Sequence, residues 1–365
     1  MPRPSRVIPA ALAVTLVASG LAIAFGSAVA FSLALAFPPL DATIGRVLGE
    51  PVREEVHLTG GGRPLIADLY HPRRVRGALL LVHGLSPAGR RHPDLVRLAR
   101  LLARHGQRVL VPDFTGLQTF RLSGREVDEI AGALRALRAL GGPVGIAGFS
   151  FGAGPALLAA ATAADLRLAG SFGGYADLRH VIGFITTGVH EYAGHRYAQP
   201  QEEYNRWKLL ALLAGFVEDA ADRARLQAIA ERRLADPGGA TEALEATLGG
   251  EGRRVLDLIL NRRPEAVGPL VAGLPAGARQ ALDRLSPATV VAGLSGRLLI
   301  AHGAEDSSIP FTESLWLAER AGGRARAVIF RSFHHTGPEP LWQSLTERLL
   351  DGWRLLGLAD ALLAP

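Results

Sequence analysis

The chain contains no cysteine, which excludes disulfides, thiolate metal sites and a cysteine nucleophile. It has almost no lysine either. Among 40 lysines and arginines Lys208 is the only lysine, so the net charge of +6 is carried by arginine. Together with the abundant Ala, Gly and Leu, that bias reads as the mark of a GC-rich genome. No dense basic run with interleaved aromatics occurs, so nucleic acid is not an expected partner. There is no H-E-x-x-H, and no P-loop lysine follows Gly60-Gly61-Gly62, so no metal and no phosphate cradle is expected. Internal repeats and low-complexity tracts are absent beyond Ala-rich helices. What the chain does have is apolar material, 48% of 365 residues, enough for one large α/β domain with an insertion or for two small domains.

The N-terminus carries its own pattern. Arg3 and Arg6 precede an uncharged apolar stretch from Val7 to Leu40, longer than the roughly 20 residues a membrane helix needs. Residues 1–40 are therefore expected to be a signal anchor or a signal peptide. Ser27-Ala28-Val29-Ala30 offers a cleavage site near Ala30, but the apolar residues Phe31 to Phe37 beyond it favour an uncleaved transmembrane helix. Arg3, Arg6 and the free amine favour a cytoplasmic N-terminus. That places the main domain outside the cytoplasm, anchored to the cell membrane by a single pass or, in the alternative, secreted.

After a linker over Asp41–Pro51, strands and helices alternate. Val52–Leu58 and Pro64–Tyr70, on either side of the glycines, read as a hairpin. Ala78–Val82 is a continuous apolar run, the pattern of a strand buried on both faces of a parallel sheet. A helix with apolar spacing at Leu95, Leu98, Leu101 and Leu102 follows, stopped by Gly106. Next come a strand over Arg108–Asp113, a helix from Glu126 to Leu140, and strands over Val144–Ala147 and Leu166–Phe172. From Tyr175 to Ala292 the alternation gives way to helical patterns broken at Pro200, Pro237, Pro264 and Pro275. This predicts a helical lid or cap inserted over 177–292. Alternation resumes with strand Arg297–Ala301, helix Thr312–Ala321, strand Arg326–Phe330 and a C-terminal helix from near Glu339. The expected architecture is a mostly parallel α/β sheet covered by helices on both faces, built from residues 41–176 and 293–365.

The chemistry-bearing positions fall after strands, where the C-terminal ends of a parallel sheet form sites. Ser150 lies in Gly148-Phe149-Ser150-Phe151-Gly152, between an apolar strand and an Ala-rich helix. That is the strand–turn–helix context of a G-x-S-x-G nucleophile elbow. A serine hydroxyl is a poor nucleophile at neutral pH and needs a neutral base, usually His, oriented by a carboxylate. Asp306 follows the penultimate strand and His334-His335 follow the last. A Ser…Asp…His order results. Asp177 is the alternative acid. His180, His190 and His195 lie close together in the insertion, but their spacing fits no metal site, and they read as lid or pocket-wall residues. Asp113 reads as structural.

Leu81-Val82-His83-Gly84, Gly148–Gly152, His302-Gly303-Ala304-Glu305-Asp306-Ser307-Ser308-Ile309-Pro310 and Ser332-Phe333-His334-His335 resemble the α/β-hydrolase superfamily, and within it bacterial esterase- and dienelactone-hydrolase-like members. The resemblance covers about 52–175 and 295–355 and leaves the insertion out. It implies Asp306 as the acid, within H-G-x-x-D-x-x-x-P. It also implies His335 as the base, with His334 as the alternative. The backbone N–H groups of Phe151 and Leu85 become the oxyanion hole, and His83 becomes a structural residue. Only one glycine follows His83, unlike the HGGG loop of some lipases.

The expected function is therefore that of a serine hydrolase acting on carboxylic esters without a cofactor. A lid rich in Leu, Phe, Tyr and Trp suggests a hydrophobic, small-molecule or lipid-like substrate. The same triad serves an acyltransferase or a serine peptidase. A peptidase of the prolyl-oligopeptidase type would usually carry a propeller, which is not expected in the residues before Val52. A non-catalytic scaffold of the same fold is the remaining alternative.

Overall fold

The computed structural model describes residues 26–331, 333–334, 337–338 and 345–364. Residues 26–36 form a helix, α1, and Pro38–Leu48 form a second, α2. Proline in the first turn costs no hydrogen bond there, so Pro38 starts α2 rather than a loop, and the expected linker is largely helical. The α1 helix, the last part of the apolar stretch, packs against the sheet domain. Its Ala28, Phe31 and Ala34 recur at a helical period and are buried in one core layer with Leu79, Leu81, Leu101 and Leu102. Phe31 meets the His105 ring edge-on at 5.7 Å, and Ser27 Oγ hydrogen-bonds His105 Nδ1 at 2.8 Å. Arg97 donates to the carbonyls of Ala34 and Leu35 at the end of α1. Among the described residues no helix is long and apolar enough to cross a membrane. Arg3, Arg6 and the apolar residues up to Phe25 lie outside the described residues. Cleavage after Ala30 would divide α1 between Ala28 and Phe31, both of them core residues.

The sheet begins with the hairpin β1 (Val52–Gly60) and β2 (Arg63–His71). Gly60 pairs with Arg63, leaving Gly61-Gly62 as a tight turn with φ of 56° and 75°, a conformation that glycine adopts without steric cost. Then follow β3 (Gly77–Val82), α3 (Pro93–Arg104), β4 (Gln107–Pro112), the short α4 (Thr115–Gln118), α5 (Arg125–Ala139), β5 (Val144–Phe149), α6 (Ala153–Ala161) and β6 (Leu168–Phe172). The insertion holds α7 (Leu178–Thr187), a small hairpin β7 (Val189–Tyr192) and β8 (His195–Ala198), α8 (Glu203–Ala214), α9 (Ala220–Ala235), α10 (Glu242–Glu245), α11 (Gly250–Leu260), α12 (Pro264–Ala272) and α13 (Ala276–Leu285). The chain returns to the sheet through β9 (Arg297–Gly303), α14 (Thr312–Ala321) and β10 (Ala325–Phe330), and ends in a helix described over Leu345–Leu363, α15.

The eight strands are ordered β1-β2-β4-β3-β5-β6-β9-β10. β2 is antiparallel to β1 and β4, and every pair from β4 to β10 is parallel. Strand side chains alternate between the faces. On β3, Leu79 and Leu81 join the layer of α1, α3 and α15, while Ala78, Leu80 and Val82 join the layer of α5, α6 and α14. Each fully buried Leu contributes roughly 1.5–3 kcal/mol, so a strand apolar at every position holds both layers. The expected α/β sheet with helices on both faces is what the chain forms. The β7–β8 hairpin was not foreseen in an insertion whose pattern read as helical.

Candidate active site

At the end of β5 the chain turns sharply. Ser150 has φ 51°, a left-handed value that costs a non-glycine residue on the order of 1 kcal/mol. The neighbouring glycines make the turn possible. A Cβ on Gly148 would stand 2.5 Å from Ala153 Cα, and one on Gly152 would stand 2.1 Å from His83 O. Helix α6 thus crosses both strand ends at backbone contact distance. Ser150 remains partly exposed at the apex, while Phe151 turns inward against Tyr175, with ring centroids 5.8 Å apart.

The loop after β3 abuts this turn. A Cβ on Gly84 would lie 3.0 Å from Ser150 Cβ and 3.6 Å from its Oγ. His83 fixes the loop. Its Nδ1–H donates to Gly84 O at 2.8 Å, and its Nε2 accepts from Phe114 N–H at 3.1 Å. Burial pushes its pKa down, which keeps the ring in the neutral form this arrangement requires. Further along the loop, buried Arg90 reaches Asp68, Asp113 and Glu55, and its N–H donates to Asp113 Oδ1 at 2.9 Å. Asp113 is therefore a brace for the loop that carries Leu85.

Parallel pairing sets the remaining loops on the same edge. Phe149 is in register with Phe172, and Phe172 with Ala301. The strand carrying Ser150 and the strand preceding Asp306 are thus separated by β6 alone, about 10 Å at the usual strand spacing. Asp306 is buried; its Oδ1 accepts from Ser308 N–H at 2.8 Å and Ile309 N–H at 3.0 Å. Its Oδ2 lies 3.5 Å from His302 Nε2 and would be 3.5 Å from a Cβ on Gly173, at the end of β6. The His302 ring is itself committed, donating from Nε2 to Ile309 O at 2.9 Å and bonding Ser314 Oγ through Nδ1 at 2.7 Å. The loop after β10 begins beside this one. Phe333–His334 pairs with Gly337–Pro338, and only their backbone is described. His335 lies outside the described residues. Asp177, the alternative acid, caps α7, accepting from Arg179 N–H at 2.8 Å and from Ser286 Oγ at 3.3 Å.

The insertion supplies the opposite wall. A narrow pocket of about 10 Å³, the room of a single water, is lined by Leu85, Phe151, Ile185, Leu209 and Leu212, with Asn205, Lys208 and Ser308 as its polar part. Asn205, Lys208, Leu209 and Leu212 share one face of α8, at spacings of three, four and seven residues. Asn205 Nδ2 donates to Ser307 O at 3.0 Å and Asn205 Oδ1 accepts from Ser308 Oγ at 3.2 Å, so α8 also clamps the loop that carries Asp306. Sequence reasoning missed this cluster. Its one advance signal was the singularity of Lys208.

The insertion histidines are engaged elsewhere. His180 Nδ1–H donates to buried Glu313 at 2.9 Å, and Glu313 also accepts from Ala176 N–H and Asp177 N–H. That bond, more than burial opposes it, raises the His180 pKa. His190 stacks on Tyr197 and meets Phe184 and Phe311 edge-on, and burial lowers its pKa to about 4. His195 is exposed on the β7–β8 hairpin.

No protein-family model matches the chain, and no curated protein does. Solved structures do. An acylaminoacyl peptidase of Pyrococcus horikoshii aligns over 87% of this chain and 42% of its own, at 12% identity and a TM-score of 0.51. An α/β-hydrolase from Penicillium sp. sh18 aligns over 84% and 98%, at 14% identity and 0.49. The esterase domain of a Rhodothermus marinus protein aligns over 85% and 98%, at 15% identity and 0.46. The chain spans less than half the length of the peptidase.

Proposed function

We propose, from the premise that this chain has the α/β-hydrolase fold, that it is a serine hydrolase of carboxylic esters with Ser150 as its nucleophile. The observation that carries this reading is the turn at Ser150. A non-glycine residue is held at φ 51° by glycines that admit no Cβ, with its hydroxyl facing the loop after β3. Such strain persists only where the surroundings enforce it. In this mechanism Ser150 Oγ attacks the ester carbonyl carbon and its proton passes to His335. The carboxylate of Asp306, already fixed by two backbone N–H groups, orients the imidazole. The N–H groups of Phe151 and Leu85 receive the oxyanion, each worth about 3 kcal/mol in comparable sites. The imidazolium returns its proton to the departing alcohol. Water then repeats the sequence on the acyl-enzyme, releasing the acid and restoring Ser150.

The apolar lining of the pocket supports an acyl group with an apolar stem, and the insertion over 177–292 acts as the lid that selects it. Arg3, Arg6 and the apolar residues after them support export from the cytoplasm, which cell fractionation tests. The deciding experiment is Ser150→Ala, expected to lower kcat/KM for p-nitrophenyl esters by on the order of 10⁴-fold or more and to abolish fluorophosphonate labelling. Undiminished turnover in the variant would sink the reading. His334→Ala and His335→Ala, assayed in parallel, identify the base. Matched anilide substrates and added alcohol acceptors separate ester hydrolysis from amide cleavage and acyl transfer.

A further inference from the structure

Asn205 shares a face of α8 with Leu209 and Leu212, which form part of an apolar wall. It is only 3% exposed. A leucine there would continue that wall, and a buried amide is costly unless its hydrogen bonds are made. Both are made to one place, the loop after β9. Asn205 Nδ2 donates to Ser307 O at 3.0 Å, and Asn205 Oδ1 accepts from the Ser308 hydroxyl at 3.2 Å.

The contacts continue to the acid. Ser308, itself buried, donates its N–H to Asp306 Oδ1 at 2.8 Å, and Ile309 N–H meets the same oxygen at 3.0 Å. Asn205 thus holds the residue that holds the carboxylate. An Asp that turns a loop by accepting from the N–H two residues on needs no outside support. Here the insertion supplies it from 103 residues away in sequence. Two more bonds from the insertion act on the same loop. Gln199 Nε2 donates to Ala304 O at 3.1 Å, and Glu202 Oε1 accepts from the Ser307 hydroxyl at 3.3 Å. From the sheet side, the His302 ring is tied to Ile309 O and Ser314 Oγ. The loop is stapled on both sides, and α8 cannot move away from the sheet domain without breaking one set of staples.

We infer that Asn205 is a positioning residue for the catalytic acid: through Ser308 it fixes the plane of the Asp306 carboxylate, and with it the orientation of the imidazole base. The insertion then serves proton transfer as well as substrate selection. The inference rests on the serine-hydrolase reading above, with Asp306 as the acid.

The test measures kcat and KM for a p-nitrophenyl ester in wild type, Asn205→Leu, Asp306→Asn and the double variant. Circular dichroism and thermal unfolding establish that each is folded. Leucine keeps the volume of Asn205 and removes both bonds. Asn205→Leu alone lowers kcat by roughly ten- to a hundred-fold, the scale of a small misplacement of a catalytic group. KM stays within about twofold, because the loss falls on the transition state. On the Asp306→Asn background the same substitution changes kcat by less than about twofold, since the group it positions is already gone. Should Asn205→Leu not fold, Ser308→Ala goes through the same comparison. It keeps the N–H to Asp306 and loses only the hydroxyl bond to Asn205, so its loss of kcat is smaller. An unchanged kcat in the folded variant overturns the inference. So does a loss in KM alone, which would make Asn205 a substrate contact, and so does a loss of equal size on the Asp306→Asn background. The serine mechanism survives each of these results. Full activity in Asp306→Asn removes that acid, and the role of Asn205 with it. A wild type that neither hydrolyses the ester nor labels with fluorophosphonate removes the mechanism itself.

Discussion

The turn at Ser150 and helix α8 of the insertion meet at one pocket, the first through Phe151 and the second through Asn205, Lys208, Leu209 and Leu212, and they are held by different means. At the turn, backbone presses on backbone. Gly148 and Gly152 leave no space for a methyl group, and His83 and Arg90 pin the facing loop. In α8 the constraint is polar and remote. Arg206, almost wholly buried, ties the helix to the ends of α7 and α11 through three carbonyls, and Asn205 ties it to the Asp306 loop. Steric constraint makes a site whose shape depends on what is missing from the side chains. Polar stapling makes one that depends on a few long side chains keeping every bond.

The largest effect should come from breaking the steric side. Gly152→Ala places a methyl group 2.1 Å from His83 O, and neither backbone segment can yield without displacing the turn or the loop. We expect a loss of about 4 kcal/mol or more in urea unfolding, or no folded protein at all. Gly352→Ala is the matched control. Gly352 lies inside α15 with nothing near its missing Cβ, so the same substitution should stabilise by about 0.5–1 kcal/mol. If the two variants unfold alike, close approach is not what fixes the turn.

This difference also explains what could be read in advance. The sheet strands and Ser150 were legible because their constraints leave short-range marks: an apolar run at β3, and glycines two positions either side of a serine. The positions of Asp306 and Asp113 followed from strand order. The packing of α1 was not legible because length and hydropathy are the same for a membrane helix and for one packed on α3; only the period of Ala28, Phe31 and Ala34 marks the packed face, and it is a weak signal. In the insertion, α8 is buried on nearly all sides, so no polar face announces which residues meet the pocket. Partners such as Arg206 and Asn261 are far apart in sequence, and no local rule joins them.

The polar side breaks next. Arg206→Met keeps much of the side-chain volume but leaves Thr186 O, Ile259 O and Asn261 O without their donor. Stability should fall by about 3 kcal/mol, and kcat/KM for p-nitrophenyl esters should fall with it because α8 shifts. Calorimetry and the p-nitrophenyl ester assay on one preparation check both. Lost stability with an unchanged kcat/KM would mean that α8 is positioned by its apolar contacts alone.

Two buried histidines sharpen the comparison in equal measure on both sides. His105, against α1, and His190, in the insertion, are each pushed by burial to a pKa of about 4. Both are neutral in the folded protein over most of the pH range. Their contribution is complete above the unfolded value near 6.5 and is lost as pH falls from there toward 4. Each should cost about 2 kcal/mol by a pH of about 5. His105→Phe and His190→Phe should each flatten the acid limb of a stability–pH curve by that amount. Unequal flattening would show that one region opens before the other.

The smallest effect has the opposite sign. His180 spans from α7 to Glu313 at the start of α14, and its pKa is raised first by that hydrogen bond and then by the Glu313 and Asp177 charges, against burial and Arg320. A raised histidine stabilises the fold fully below its unfolded pKa and loses that contribution as pH rises through the folded value. The side chain is 47% exposed, so water screens the pair and holds its worth below about 1 kcal/mol. His180→Gln should therefore unfold earlier than wild type on the acid side of neutrality and match it in alkali, as followed by thermal unfolding across pH. A deficit that persists in alkali would mean that His180 acts through packing against Trp316, whose ring centroid is 5.9 Å away, and that the seam between the insertion and the sheet domain is apolar at this point rather than ionic.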